Sequence, residues 1–348
     1  MRLLVATDAW RPQVNGVVRS LEHMIAEAPH FGAEVHVLGP DRFRSLPMPT
    51  YPEIRLALAR PGAVARHVEA LAPTHIHIAT EGPIGLSARR VCLRRGQAFT
   101  TSYHTRFPEY LAARAPVPER WIYGLLRRFH NAGSATLVST ASLEAELARR
   151  GFRNLRRWGR GVDTALFRPR DGASLDAVRP VFLFVGRVAV EKNLDAFLSL
   201  DLPGTKIVVG DGPARPGLQL AYPEARFLGA RSGEALAEIH AAADVFVFPS
   251  LTDTFGIVLL EALASGLPIA AYPVGGPLDV LGASGCGILD ADLGAAALAA
   301  LRIPRQRCRA YGEGFTWRES ARQFFAAIEA AHGQAPERPA AAAPLPVR

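Results

Sequence analysis

Arg187 and Lys192 are among the residues of this sequence best placed to do chemistry. They lie in Val185-Gly186-Arg187-Val-Ala-Val-Glu191-Lys192-Asn193, which leaves an apolar run and enters a helix. Two cations at the carboxyl end of a strand suit a diphosphate, and arginine can grip one through two parallel hydrogen bonds. Of the 40 basic residues only two, Lys192 and Lys206, are lysines. A compact ammonium at 192 therefore points to a specific demand, a solvated surface charge being the plain alternative.

Three further stretches deserve the same question. In Phe248-Pro-Ser250-Leu-Thr-Asp253-Thr-Phe255-Gly256-Ile-Val-Leu-Leu-Glu261, the last acid sits inside an apolar helical run that Gly266-Leu-Pro268 should stop. A buried carboxylate is costly without partners, and ribose hydroxyls would serve, as would the amides of a neighbouring loop. Asp253 lies in the preceding loop, so both acids could face one pocket. In Arg11-Pro-Gln-Val-Asn-Gly16-Val-Val-Arg19-Ser20, Gly16 opens a helix after the first strand. Its backbone could approach a ligand, and free amides at a helix start suit a phosphate. The spacing is not Gly-x-Gly-x-x-Gly, so the dinucleotide fingerprint is missing. A tight turn without a ligand is the alternative. In Thr101-Ser-Tyr-His104-Thr-Arg106, His104 follows a strand; a lone histidine there is as often structural. Two patterns read as decoys for metal: Asp290-Ala-Asp292, expected at the surface before an alanine-rich helix, and His75-Ile-His77, expected as alternation along a strand.

The elements that must position these residues repeat as strand, loop, helix, which predicts α/β layers with parallel sheets. Strands are expected near 2–6, 34–38, 75–79, 97–102 and 135–138, then Val181–Val185, Lys206–Val209, Ala225–Leu228, Val245–Phe248 and Ile269–Tyr272. A length of 348 residues suits two domains. The turn-rich segment 167–180 divides them, so residues 1–170 form one unit and 171–315 the other. Thr316-Trp-Arg-Glu319 reads as a capping box opening a helix over 316–333, and the Ala/Pro-rich residues 334–348 are expected to be disordered. Cys92, Cys286 and Cys308 fit neither a disulfide framework nor a zinc spacing and read as buried small hydrophobes. No apolar run is long enough to span a bilayer, and Asp8 comes too early for a signal peptide. The expected location is therefore cytoplasmic, with a peripheral position at the inner membrane face.

These motifs arrive in the order of a family. Pro-x-x-Asn-Gly16, Ser102-Tyr-His104-Thr, Arg160-Gly-Val-Asp163, Gly186-Arg187…Glu191-Lys192, Gly210-Asp-Gly-Pro213 and the acid-x7-Glu element ending at Glu261 resemble the retaining, nucleotide-sugar-dependent glycosyltransferases of the GT-B fold. The likeness runs over about residues 1–330. It is nearest to the bacterial group of phosphatidylinositol mannosyltransferases and sulfoquinovosyl and glucosyl diacylglycerol synthases. The resemblance implies two Rossmann-like doubly wound domains facing a central cleft. It also implies roles: Gly16 lends its amide to the donor phosphate, and Arg187 and Lys192 neutralise the departing diphosphate. Glu261 binds ribose, and Asp253 with the amides of Phe255 and Gly256 holds the sugar. His104 reaches the sugar from the opposite domain. No metal or cofactor is implied beyond the nucleotide-sugar co-substrate, GDP-mannose or UDP-glucose or its uronate. The family usually has Glu where this chain has Asp253, one methylene shorter.

Charge bears on the acceptor. Residues 1–170 hold 25 arginines against 13 acids, a balance of +12, while the rest carries −4, summing to +8. A basic first domain suits an anionic membrane surface and a lipid acceptor such as diacylglycerol or a glycolipid. The stretch 106–128 mixes Phe107, Tyr110, Leu111, Trp121, Ile122, Tyr123 and Leu125 with five arginines, as an interfacial helix would, or an ordinary core helix with a basic outer face. Nucleic acid is not an expected partner, because no basic-aromatic recognition module is visible. The competing readings are transfer to a soluble glycan or small molecule, a nucleotide-sugar 2-epimerase, and a non-catalytic sensor.

Overall fold

The computed structural model describes residues 1–13, 15–48, 51–106, 108–109 and 118–333. Two six-stranded parallel sheets organise the chain. The first is ordered β2-β1-β5-β6-β7-β8, from β1 (Arg2–Ala6), β2 (Glu34–Leu38), β5 (His75–Ile78), β6 (Thr100–Tyr103), β7 (Ala135–Val138) and β8 (Leu155–Arg157). The second is β11-β10-β9-β12-β13-β14, from β9 (Val181–Val185), β10 (Thr205–Val209), β11 (Arg226–Gly229), β12 (Val245–Phe248), β13 (Ile269–Ala271) and β14 (Gly287–Leu289).

The runs that read as strands buried on both faces are such strands. In β9, Val181, Leu183 and Val185 enter one core while Phe182 and Phe184 enter the core on the other side of the sheet. Alternate residues point to opposite faces, so a continuous apolar run is what a sheet covered on both sides requires. An antiparallel hairpin, β3 (Ser45–Met48) with β4 (Tyr51–Ala57), is an addition the sequence did not announce. The edge strands β8 and β14, three residues each, are too short to show a period.

The helix Trp317–Gly333 returns to the first sheet. Trp317, Ala321, Phe324, Phe325 and Ile328 line its buried face and pack with Leu3, Val5, Leu137 and Trp158. That spacing is an amphipathic helical stripe. Only half of the expected capping box forms. Thr316 Oγ1 accepts from Glu319 N at 3.2 Å, but the Glu319 carboxylate turns to Arg322 and Gln323 instead. Residues 334–348 lie outside the described residues, as do Phe107 and 110–117 of the arginine-aromatic stretch.

In each sheet the strand order reverses beside the first strand: between β1 and β5, and between β9 and β12. The crevice outside the carboxyl ends of such strands is where open α/β sheets bind ligands. The loops after β9 and β12 carry Arg187, Lys192 and Asp253, and the loop after β1 carries Gly16.

Candidate active site

On the second domain, two loops meet at the reversal point. Gly210 lies so close to the Gly186 carbonyl that a Cβ would come within 1.8 Å of its oxygen, at a φ of +141°. Only glycine permits that approach, and it seats the loop bearing Arg187 on its neighbour. Lys192 ends a short 3₁₀ turn, Val190–Lys192. Asn193 then adopts a left-handed conformation and its Nδ2 donates to the Pro249 carbonyl at 3.1 Å, tying the β9 loop to the β12 loop. The Lys192 ammonium reaches both oxygens of Asp253, at 2.5 and 2.8 Å. Sequence reasoning assigned one to phosphate and the other to sugar; the structure pairs them. Arg187 stands partly buried just past the end of β9.

Gly256, at φ +82°, turns the chain into the helix Ile257–Ala264, and the Phe255 ring is absorbed into the core. Glu261 is buried in this helix. Its Oε1 accepts from Arg19 Nη1 of the first domain at 2.7 Å, while its buried Oε2 has no partner among the described residues. Burial pushes this carboxyl up, and Arg19 works against that shift. Asp253 thus pairs with a cation of its own domain, and Glu261 with one from the other domain.

On the first domain, Asn15 caps the helix Gly16–Glu27, its Oδ1 accepting from Val17 N and Val18 N at 3.0 and 3.1 Å. This corrects the expectation of free amides at the helix start: two are taken, and it narrows to the amide of Gly16. Gly16 faces the second domain, where a Cβ would stand 3.5 Å from Ile257 Cδ1. His104 lies just past β6. Its Nδ1 is 3.2 Å from Arg160 Nη2, and its buried Nε2 has no partner among the described residues. Its carbonyl accepts from Thr254 Oγ1 at 2.8 Å, and the Thr254 carbonyl accepts from Ser139 Oγ at 3.2 Å. The loop holding Asp253 thus docks on the first domain at His104.

The decoys resolve as structure. Asp292 caps the helix Leu293–Ala300 through Ala295 N, and Asp290 accepts from Asp292 N, both at 2.9 Å. His77 is fully buried with both ring nitrogens 2.9 Å from hydroxyls, Thr100 and Ser102. His75 turns away to His332. All three cysteines are free and buried. Sequence reasoning missed the work of Arg19, Arg160, Ser139 and Thr254. Arg19 and Arg160 stood in quoted motifs, but their partners come from distant segments that no local spacing reveals.

Comparison with known proteins follows this geometry. Residues 14–166 match the family described as Glycosyltransferase Family 4, and residues 179–303 match Glycosyl transferases group 1. A GDP-mannose-dependent alpha-mannosyltransferase of Mycobacterium tuberculosis is 33% identical over 317 residues, covering 83% of either chain. The chain belongs to the GT-B glycosyltransferases. A sulfoquinovosyl transferase of Arabidopsis thaliana is 32% identical to this glycosyltransferase over 68% of the chain and 50% of its own length. In fold, the glycosyltransferase resembles a sucrose-phosphate synthase from Thermosynechococcus elongatus, with a TM-score of 0.78 at 20% identity over 95% of this chain and 99% of that one.

Proposed function

We propose that this glycosyltransferase moves a hexose from a nucleoside-diphosphate sugar to a lipid acceptor at an anionic membrane surface, with retention and without metal. The observation that carries the donor half is the set of complementary groups around the cleft. Lys192 and Asp253 stand at one reversal point, Glu261 keeps an unpartnered oxygen, and His104 keeps an unpartnered nitrogen. A donor offers partners to all of them. Ribose hydroxyls donate to Glu261 Oε2. The diphosphate takes Lys192 and Arg187, which releases Asp253 to accept from sugar hydroxyls. As the bond from C1 to the phosphate oxygen breaks, the acceptor oxygen bonds C1 on the same face and its proton passes to the departing phosphate. Negative charge builds on that phosphate in the transition state, so fixed cations there are the main catalytic contribution. The mannosyltransferase relative favours GDP-mannose as donor, and its alpha product supports retention.

Titration with GDP, UDP and ADP, followed by turnover of the matching sugar conjugates with and without EDTA, tests this half. Tight binding of one nucleotide and EDTA-resistant turnover are expected. Absence of binding by all three refutes the donor site, and abolition by EDTA refutes metal independence.

The acceptor half is supported by the outer face of the first domain. On the helix Glu119–His130, Ile122, Tyr123, Leu126 and Phe129 are buried, while Trp121 and Leu125 are 66% and 71% exposed between arginines. Beside it, Arg89 donates to the carbonyls of Arg128 and Phe129. A groove there is lined by Leu86, Arg89, Arg90, Leu93 and Arg94, with both leucines about half exposed. Apolar side chains among arginines suit a membrane interface. Among the described residues no helix is long and apolar enough to cross a bilayer. Flotation with anionic vesicles, lost in neutral vesicles or high salt, is the expected result. Failure to float with anionic lipid transfers the assignment to a soluble acceptor.

A further inference from the structure

Arg160 has no part in the donor site as drawn above, yet it is a buried cation that touches His104. We propose that Arg160 is a positioning residue that fixes His104 in the tautomer carrying its proton on Nε2, so that the first domain presents a hydrogen-bond donor to the cleft. That this donor meets a sugar hydroxyl rests on the function proposed above; the tautomer itself does not.

The first step is the chemistry of the contact. A guanidinium has only N–H donors and no lone pair to offer. At 3.2 Å from Arg160 Nη2, His104 Nδ1 must therefore be the acceptor. The ring of a neutral imidazole then carries its hydrogen on Nε2. That atom is buried without a partner among the described residues. An unmet buried N–H is costly, and a ligand oxygen removes that cost on binding.

The second step is how firmly Arg160 is held. Its Nη1 donates to the carbonyls of Trp158 and Gly159 at 2.6 and 3.0 Å. Its guanidinium carbon lies 4.1 Å from the centre of the Trp158 ring, within cation–π range. The Trp158 ring is fully buried, and its Nε1 donates to Ser320 Oγ at 3.0 Å. Ser320 Oγ donates in turn to the Gly159 carbonyl, and Gln323 Oε1 accepts from Gly159 N, both at 2.9 Å. The returning C-terminal helix therefore anchors the loop that aims Arg160 at His104.

The third step is charge. No carboxylate pairs with Arg160 among the described residues. Burial lowers its pKa to about 9, which still leaves it protonated at neutral pH. His104 faces this cation, the imidazoles of His77 on β5 and His130 on the helix Glu119–His130, and the edge of Trp158. Glu81, the acid behind His130, is engaged by His130 Nε2 at 3.0 Å. Burial first, and then Arg160, push His104 well below the ordinary histidine range. His104 thus stays neutral and acts as an N–H donor rather than as an acid.

Long-range ¹H–¹⁵N correlation on the full chain labelled with ¹⁵N-histidine tests the assignment directly, with His104 identified by loss of its signals in His104→Gln. The wild type should show protonated Nε2, bare Nδ1, and no protonation across the range where an ordinary histidine titrates. Protonated Nδ1, or titration near 6.5, overturns the proposal whatever the enzyme's activity. In Arg160→Met the tautomers should mix and the ring should titrate at higher pH. Release of nucleoside diphosphate from the bound donor should slow about 100-fold in kcat, with donor KM little changed. Arg160→Lys, which keeps the charge and one donor, should recover part of both. An Arg160→Met enzyme with the wild-type tautomer and kcat overturns the proposal, and if that variant does not fold, the wild-type tautomer decides. Failure of the donor reading would appear separately, as a wild type that binds no nucleoside diphosphate.

Discussion

At the scale of single residues, the site already pairs charges before a ligand arrives: Lys192 with Asp253 and Arg19 with Glu261. Lys192 and Asp253 are 20% and 14% exposed at their side chains, so their attraction is less screened than at an open surface. Removing the ammonium leaves both Asp253 and a departing phosphate uncompensated. Lys192→Ala should lower kcat by about 10²–10³-fold, read as nucleoside diphosphate release. Glu261→Gln keeps the shape but donates where a carboxylate accepted. Calorimetry should show weaker binding of the nucleoside diphosphate by about tenfold, the weight of one hydrogen bond to a charged group. Unchanged affinity would make Glu261 purely a support for Arg19. Asp253, one methylene shorter than the Glu that the resemblance implies there, takes the Lys192 ammonium on both oxygens.

At the scale of elements, the first sheet carries a buried polar layer behind His104. His77 on β5 sits between Thr100 and Ser102 of β6, and burial lowers its pKa to about 3. The unfolded chain binds a proton at this residue below about pH 6.5, while the folded one refuses it down to about 3. Stability is therefore intact above pH 6.5 and lost on acidification, by up to about 1.4 kcal/mol per pH unit from this residue. Urea unfolding between pH 7 and 4 should show that slope, and His77→Gln should flatten it. The returning helix is a second such element. Phe324 is fully buried against Trp158 and His77, so Phe324→Ala should cost about 3–5 kcal/mol in the same measurement.

At the scale of the whole molecule, specific polar contacts join the two domains. Arg19 grips Glu261, Thr254 bonds the His104 carbonyl, and Ser142 donates to Asp279. Removing one partner of a buried pair strands the other. Arg19→Ala should destabilise by about 3 kcal/mol in urea, and adding Glu261→Gln should relieve most of that loss. If the second substitution brings no relief, the pair does not couple the domains. The exposed arginines, Trp121 and Leu125 belong to this scale too. A Trp121→Ala, Leu125→Ala variant should lose vesicle flotation while keeping nucleotide affinity, because both side chains are exposed and neither belongs to the donor site.

The repeat of strand, loop and helix was legible along the chain because a sheet buried on both faces needs continuous apolar strands, as β9 and β12 show. Lys192, Asp253 and Glu261 were legible too, their types being odd for their local surroundings. Gly210 and Gly256 stood in quoted motifs, but the close approach and the left-handed turn that require glycine there appear only in the folded chain. What remained hidden was pairing. Arg19 with Glu261, Arg160 with His104, and Thr254 with the His104 carbonyl join residues 242, 56 and 150 positions apart. Local propensity carries no record of such distances. Only the packing of two sheets, with a last helix folded back under the first, brings these groups within reach. That packing also places Arg160 at His104 Nδ1 and leaves Glu261 Oε2 without a partner among the described residues.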